Sequence, residues 1–328
     1  MTHRRQPYPP RLQRGAAILT AMLLVTLVAS LSAAALWQQW RGIEVETAER
    51  ARTQSAWILQ GALDWARLIL REDARTGATD HLAEPWAVAL QEARLSTFLA
   101  TGNESGGTPD ALQDAFLSGR ITDLQGRLNV LNLVQDGRTH APTLRAFARL
   151  FEALHLPDAE LLALTRNLRL ALDPQAPVAA GAPPVPLLPR DAAELGWLGL
   201  SPASVALLQP FVAILPERTP VNLNTAPALV LHACIAGLGL SDAQRLVSTR
   251  AQTPFRSLAD VAQALGNSTA PALSESQHSV NSRYFEVRTQ LRLDPLVVQE
   301  RTMLQRDGLD VKVVWRQRGA QSPLPSLQ

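Results

Sequence analysis

Groups that carry chemistry are scarce in this sequence. Its 328 residues include a single cysteine, Cys234. No intramolecular disulfide can form, so cysteine usage says nothing about the redox compartment. Cys234 lies in the apolar run from Val230 to Ile235 and reads as a buried structural thiol rather than a nucleophile. The histidines (3, 81, 140, 155, 232 and 278) are scattered, and none forms a spaced ligand pair or stands beside the cysteine in a zinc pattern. Lysine is almost absent: Lys312 stands alone among arginines. The formal net charge of +2 gives no bulk attraction to nucleic acid. There is no Gly-x-Ser-x-Gly elbow, P-loop, His-Glu-x-x-His or dinucleotide fingerprint, so the expectation is a chain that is not an enzyme. With 46% hydrophobic and 18% charged residues, the composition is globular and fits one large or two small domains.

The N-terminus holds the strongest positive signal. Residues 1–15 are basic, broken by proline and free of acidic side chains. Ala16 to Leu36 is uncharged throughout. At 1.5 Å per residue such a run reaches about 30 Å, enough to cross a bilayer core. Arg4, Arg5, Arg11 and Arg14 precede it, so the positive-inside rule puts the N-terminus in the cytoplasm and the bulk outside. A secretory signal peptide cut near Ala33–Ala35 and a type IV prepilin leader cut after Gly15 both fit this pattern. The sequence beyond decides between them. Trp37 and Trp40 fall where an interfacial belt belongs, and Ala56, Leu59, Leu63, Ala66 and Leu70 then recur at helical spacing. No proline intervenes before Pro85, so the apolar helix is expected to run on as one long amphipathic helix. A cleaved signal peptide has no need of that continuity.

Further along, 81–95 is interrupted by proline and 101–110 is a polar loop. Residues 117–134 read as a hairpin turning at Gln125-Gly126. Residues 141–172 are helical in period, 173–190 form a Pro/Ala-rich linker, and short helices follow. In 220–266, Asn224-Thr225 is expected to cap a helix, Gly237-Leu238-Gly239 to make a tight turn and Ser257 to cap another helix: a helix-hairpin-helix pattern. Such modules grip DNA with hairpin N–H groups and nearby cations. Here Asp242 follows the hairpin and Arg245 and Arg250 are the only cations close by, so a structural or protein-contact role is favoured. Segments 282–293, 295–307 and 309–319 alternate apolar and polar residues, with Asp307-Gly308 as a turn. They predict a three-stranded antiparallel meander packed on the N-terminal helix. The tail 320–328 is expected to be disordered.

Four features together resemble one family. They are Gly15-Ala16 with Thr20, the 119–132 stretch containing Gly119, Arg120, Ile121, Asp123, Gly126, Arg127, Asn129 and Asn132, the run Val221–Ala226, and Ser282-Arg283-Tyr284-Phe285. The chain resembles the large minor pseudopilin of type II secretion, the general secretion pathway protein K family. Relatives of the wider pilin group carry Glu at the fifth position after the cut; counting from Ala16, this chain has Thr20, a departure typical of the protein K branch. The resemblance implies an α+β pseudopilin fold, a long N-terminal transmembrane and amphipathic helix packed on an antiparallel sheet, with an inserted all-helical domain containing the helix-hairpin-helix. The expected divisions are leader 1–15, membrane helix 16–36, first part of the body 37–134, insert 135–272, C-terminal strands 273–319 and tail 320–328.

It further implies processing by prepilin peptidase at Gly15, Ala16 and Thr20, and a single-pass location in the inner membrane with the bulk periplasmic. The implied partners are minor pseudopilins I and J and the major pseudopilin fibre, with no nucleic acid. Calcium is an implied cofactor, with Asp191 and Glu194 as its candidate ligands and helix capping as their competing role. The alternatives are a membrane-anchored DNA receptor of a competence system and a periplasmic hydrolase released by signal peptidase.

Overall fold

The computed structural model describes residues 14–77, 79–95, 115–173, 185–266, 273–293 and 296–319. Residues 1–13 of the leader, the loop 101–110, most of the Pro/Ala linker and the tail 320–328 lie outside them. The chain divides into two units, Met1–Trp57 and Ile58–Gln328.

Helix α1 (Arg14–Thr76) contributes to both. In the second unit its apolar stripe meets a sheet. Leu63, Ala66 and Leu70 are buried with Trp86, Phe285, Val287, Leu304 and Val311. Leu59 packs with Leu117 and Leu291. Full burial of one such side chain contributes roughly 1.5–3 kcal/mol, so this seam, rather than helix propensity, fixes the helix there.

The sheet strands are β1 (Leu90–Arg94), β2 (Ala115–Asp123), β9 (Tyr284–Leu293), β10 (Leu296–Asp307) and β11 (Asp310–Gly319), ordered β1-β2-β9-β10-β11 and antiparallel throughout. The predicted C-terminal meander is present. Its second turn is Gly308-Leu309, where Gly308 takes the left-handed conformation (φ 59°). Strand β1, in the segment read only as interrupted by Pro85, extends the sheet beyond β2.

The predicted hairpin over 117–134 does not form. Both edges of β2 are already taken, by β1 and β9, so the chain cannot fold back on it. Asp123 accepts the Gln125 N–H (2.7 Å), which turns the chain away from the sheet. Gly126 then presses on Thr225: a Cβ there would stand 2.8 Å from its hydroxyl and 3.1 Å from its carbonyl carbon. Strand β3 (Leu128–Asn129) pairs instead, in parallel, with β6 (Val212–Ala213).

Residues 124–283 form the insert between β2 and β9. Short bridges β4 (Val134–Gln135), β5 (Arg138–Thr139), β7 (Val221–Asn222) and β8 (His278–Ser279) accompany helices α2 (Ala141–Ala153), α3 (Asp158–Leu172), α4 (Pro202–Leu208), α5 (Ala228–Cys234), α6 (Leu240–Gln252) and α7 (Leu258–Leu265). Leu128, Val130, Leu133 and Val134 are buried in its core beside Phe147, Phe151, Leu164 and Leu195. The insert is therefore wider than the expected 135–272, because the sheet ends at Asp123 and resumes at Tyr284.

Candidate functional site

In the first unit, α1 presents apolar side chains outward over residues 16–36; Leu19 and Leu23 are 69% and 66% exposed. The helix is long and apolar enough to span a bilayer. Three of its hydroxyls are satisfied locally. Thr20 donates to the Ala16 and Ala17 carbonyls (both 3.0 Å), Thr26 to Leu23 and Ser30 to Leu27. These three therefore present no unpaired donor to lipid. Beyond Trp37 and Trp40, the exposed pairs Glu46–Arg50 and Glu49–Arg52 mark a water-facing stretch.

The insert is held to the body by a buried polar junction. Asn222, on β7, donates through Nδ2 to the Asp80 carbonyl (3.1 Å), Asp123 (3.0 Å) and Ser282 Oγ (2.9 Å). Asp123 also accepts from the hydroxyls of Thr225 (2.5 Å) and Ser282 (2.6 Å). Burial dominates despite these donors and pushes the Asp123 carboxyl up to about 6. Gln125 Oε1 accepts the Arg283 N–H, and Gln125 Nε2 donates to the Pro220 carbonyl. Asn129 and Asn132 clamp the Glu217–Thr219 loop from the other side. The side chains that make this junction are polar, so it fixes orientation rather than offering an apolar slide plane.

Thr225 and Asn224 do not cap a helix, as the sequence suggested. Pro227 precedes α5 with no side-chain cap. Asn224 instead accepts the Phe255 N–H (3.0 Å) and donates to the Phe255 carbonyl (2.9 Å), tying the two ends of the helix-hairpin-helix together. Gly237 has φ +78° at the hairpin, and Ser257 with Asp260 forms a capping box, both as the sequence requires. Of the two cations nearest the hairpin, Arg245 pairs with Asp242 and Arg250 is buried against the Leu223 carbonyl. Cys234 is buried, and its thiol is pushed up to about 12 by that burial.

The candidate calcium ligands are used otherwise. Asp191 Oδ1 accepts the Ala193 N–H (3.1 Å), and its other oxygen faces Arg301 in an ion pair. Glu194 accepts the Arg190 N–H (2.8 Å). A carboxylate already opposite a guanidinium does not fit a cation cradle. Among the described residues, one acidic trio does gather: Asp73, Asp80 and Glu84. It too holds an internal cation. Arg306 donates to Asp73 (2.7 Å) and to Asp80, while Glu84 accepts from the His81 N–H (2.9 Å) and Trp86 Nε1 (2.6 Å).

Comparison with known proteins follows the same lines. Profiles described as type II secretion system (T2SS), protein K, match residues 126–217 and 221–281. The chain is 29% identical to the type II secretion system protein K of Pseudomonas aeruginosa, over 96% of each. It is 28% identical to that of Klebsiella pneumoniae, over 94% of this chain and 97% of the other. Over nearly its whole length the chain is similar to type II secretion system K proteins. Its fold matches a chain in the crystal structure of the GspK–GspI–GspJ complex from the enterotoxigenic Escherichia coli system, with a TM-score of 0.64 at 20% identity, covering 84% of this chain and 99% of that one. These similarities support a minor pseudopilin, anchored to a membrane by the one helix among the described residues that is long and apolar enough to span it. Sequence reasoning missed the junction built on Asn222 and the Arg306 cluster. Their partners are far apart in sequence, and the local signals were the stretches holding Asp123, Asn129 and Asn132, Val221–Ala226 and Ser282-Arg283.

Proposed function

We propose that this protein K homologue sits at the tip of a short periplasmic pseudopilus, where it initiates assembly and caps the fibre that drives folded exoproteins across the outer membrane. Prepilin peptidase cuts after Gly15, leaving Ala16 as the first residue in the inner membrane, with the N-terminus cytoplasmic and the bulk periplasmic. Its partners are minor pseudopilins I and J, by analogy with the complex whose fold it shares, and below them the major pseudopilin.

One observation carries the reading: Thr20 closes its hydroxyl onto its own helix. Where the wider group has a carboxylate at this position, a neighbouring N-terminal amine can pair with it; a carboxylate in lipid is costly without such a partner. A subunit with nothing added beyond it needs neither.

N-terminal sequencing of the mature protein tests the processing step. A start at Ala16 is expected, and Gly15→Ala should accumulate the precursor. A start near residue 35 would mean a signal peptidase product and would remove the anchor on which the reading depends.

A further inference from the structure

On the face of the sheet away from α1, three arginines stand side by side across three strands. Arg120 on β2 is opposite Arg288 on β9, and Arg288 is opposite Arg301 on β10. Like charges in register repel, so such a row needs counter-charge. Two carboxylates supply it. Buried Glu286 takes Arg288 on one oxygen and Arg301 on the other, and Asp191 takes the remaining end of Arg301. Those pairs match Arg288 and Arg301 and leave Arg120 and Arg127 without a share among the described residues.

Arg127 lines a cavity with Arg190, Asp191, Glu286, Arg301 and Trp315, where the insert meets the sheet. Its side chain makes no hydrogen bond or ion pair among the described residues. Burial above all lowers its pKa, Glu286 opposes this, and Arg288 and Arg301 lower it further. A second cavity adjoins the first and shares Arg190, Asp191 and Trp315 with it. The Trp315 indole N–H is shut away from solvent and has no acceptor. A buried donor without an acceptor is costly and uncommon, and here it stands at the same place as an unmatched guanidinium. Nor does the linker 174–184, which leads into Arg190, contain an acidic residue that could answer them.

We propose that this pocket is an oxyanion receptor, in which Arg127 and Arg190, with the Trp315 indole N–H, hold a carboxylate or phosphate group. An acceptor-only anion is the ligand that satisfies both vacant kinds of donor at once. The group arrives either on a peptide, as an acidic side chain, or as a free inorganic ion. The pocket lies beside the body–insert seam, so its occupant would brace Arg190 and the η turn at Ala192–Leu198 against β10 and β11.

The test is thermal unfolding of the full chain in neutral detergent. One arm titrates sodium phosphate and the other an acetylated Glu-Glu amide, each against sodium chloride at constant ionic strength, so that screening does not change. A saturable rise in Tm is expected from preferential binding to the folded state. A rise with phosphate assigns a free-ion site; a rise with the peptide alone assigns a peptide carboxylate. In Arg127→Gln the rise should vanish, while Tm in chloride should equal or exceed that of the parent, because an unmatched cation has been removed. Trp315→Phe keeps the ring and loses the donor, and should weaken apparent affinity about tenfold. No rise in either arm, or an undiminished rise in Arg127→Gln, overturns the proposal. So does an Arg127→Gln chain that unfolds earlier in chloride, since that would make Arg127 a structural support for Glu286.

Discussion

Arg306, near the end of β10, donates to Asp73, near the end of α1, at 2.7 Å. The same guanidinium reaches Asp80 and the Ser282 carbonyl, and lies 4.9 Å from the centre of the Phe285 ring. One side chain thus joins the helix, the segment after it, the sheet and the re-entry from the insert. Replacement by Met keeps the volume and leaves two buried carboxylates unmatched. Arg306→Met should therefore cost about 3–5 kcal/mol, read as a fall in the urea midpoint of the full chain. Arg306→Lys should recover only part, since an ammonium cannot reproduce the planar fork.

Gly126 is the point where the chain leaves the sheet and touches the insert. A methyl group there meets backbone as well as the Thr225 hydroxyl, so it cannot be relieved by a rotamer change. Gly126→Ala should destabilise by roughly 1–3 kcal/mol. Limited proteolysis should show the insert released before the sheet is cut. An insert that stays as protected as in the parent chain would mean that the junction tolerates the clash.

Burial pushes the carboxyls of Asp123 and Asp73 up to about 6 from 3.8. Between about pH 4 and 6 the folded chain then holds more protons than the unfolded one, so these two groups favour folding most at the acid end and lose that contribution as pH rises through 6. His278 and His140 act the other way: burial lowers their pKa, so acid favours their unfolded, charged forms. Glu286 is lowered by its arginine partners, against the effect of burial, and its contribution disappears only below its ordinary value of 4.5. The readout is a difference. Going from pH 7.5 to 5, the parent chain should gain on the order of 1–3 kcal/mol relative to Asp123→Asn. Parallel pH profiles for the two chains would show that Asp123 does not titrate in this window.

Thr20 hydrogen bonds only to its own helix. Thr20→Val should leave membrane insertion and processing unchanged. Thr20→Glu puts a carboxylate on an exposed apolar face, at a cost of about 2.5–3.5 kcal/mol near the bilayer centre and less toward its edge. Carbonate extraction of membranes should show a larger soluble fraction for Thr20→Glu alone.

Local pattern carried much of the fold. The alternation in 284–319 and the Gly308 turn gave the C-terminal strands within a few residues, and the stripe Leu59–Leu70 gave the face of α1 that packs on them. The failures share one cause. Gln125-Gly126 has the chemistry of a hairpin turn, but whether β2 has a free edge depends on β9, more than 150 residues on. Asn224 and Thr225 have the chemistry of caps, yet their partners are Phe255 and Asp123. Asp191 was legible as a turn cap, but its ion pair with Arg301 crosses 110 positions. Short polar side chains advertise that they will be bonded, not to whom.

The central seam of the sheet joins β2, complete at residue 123, to β9, which begins at residue 284. During synthesis the chain emerges N-terminal helix first. Strand β2 must wait, with one edge open, until the whole insert has followed it. Closing so long a loop is entropically unfavourable until the insert has folded and brought its two ends together. The insert therefore acts as a clock on maturation: the body cannot present a finished sheet to any neighbour before β9, β10 and β11 have arrived. A chain truncated before β9 would keep its anchor and its helices, and would leave an open strand edge where the subunit should be.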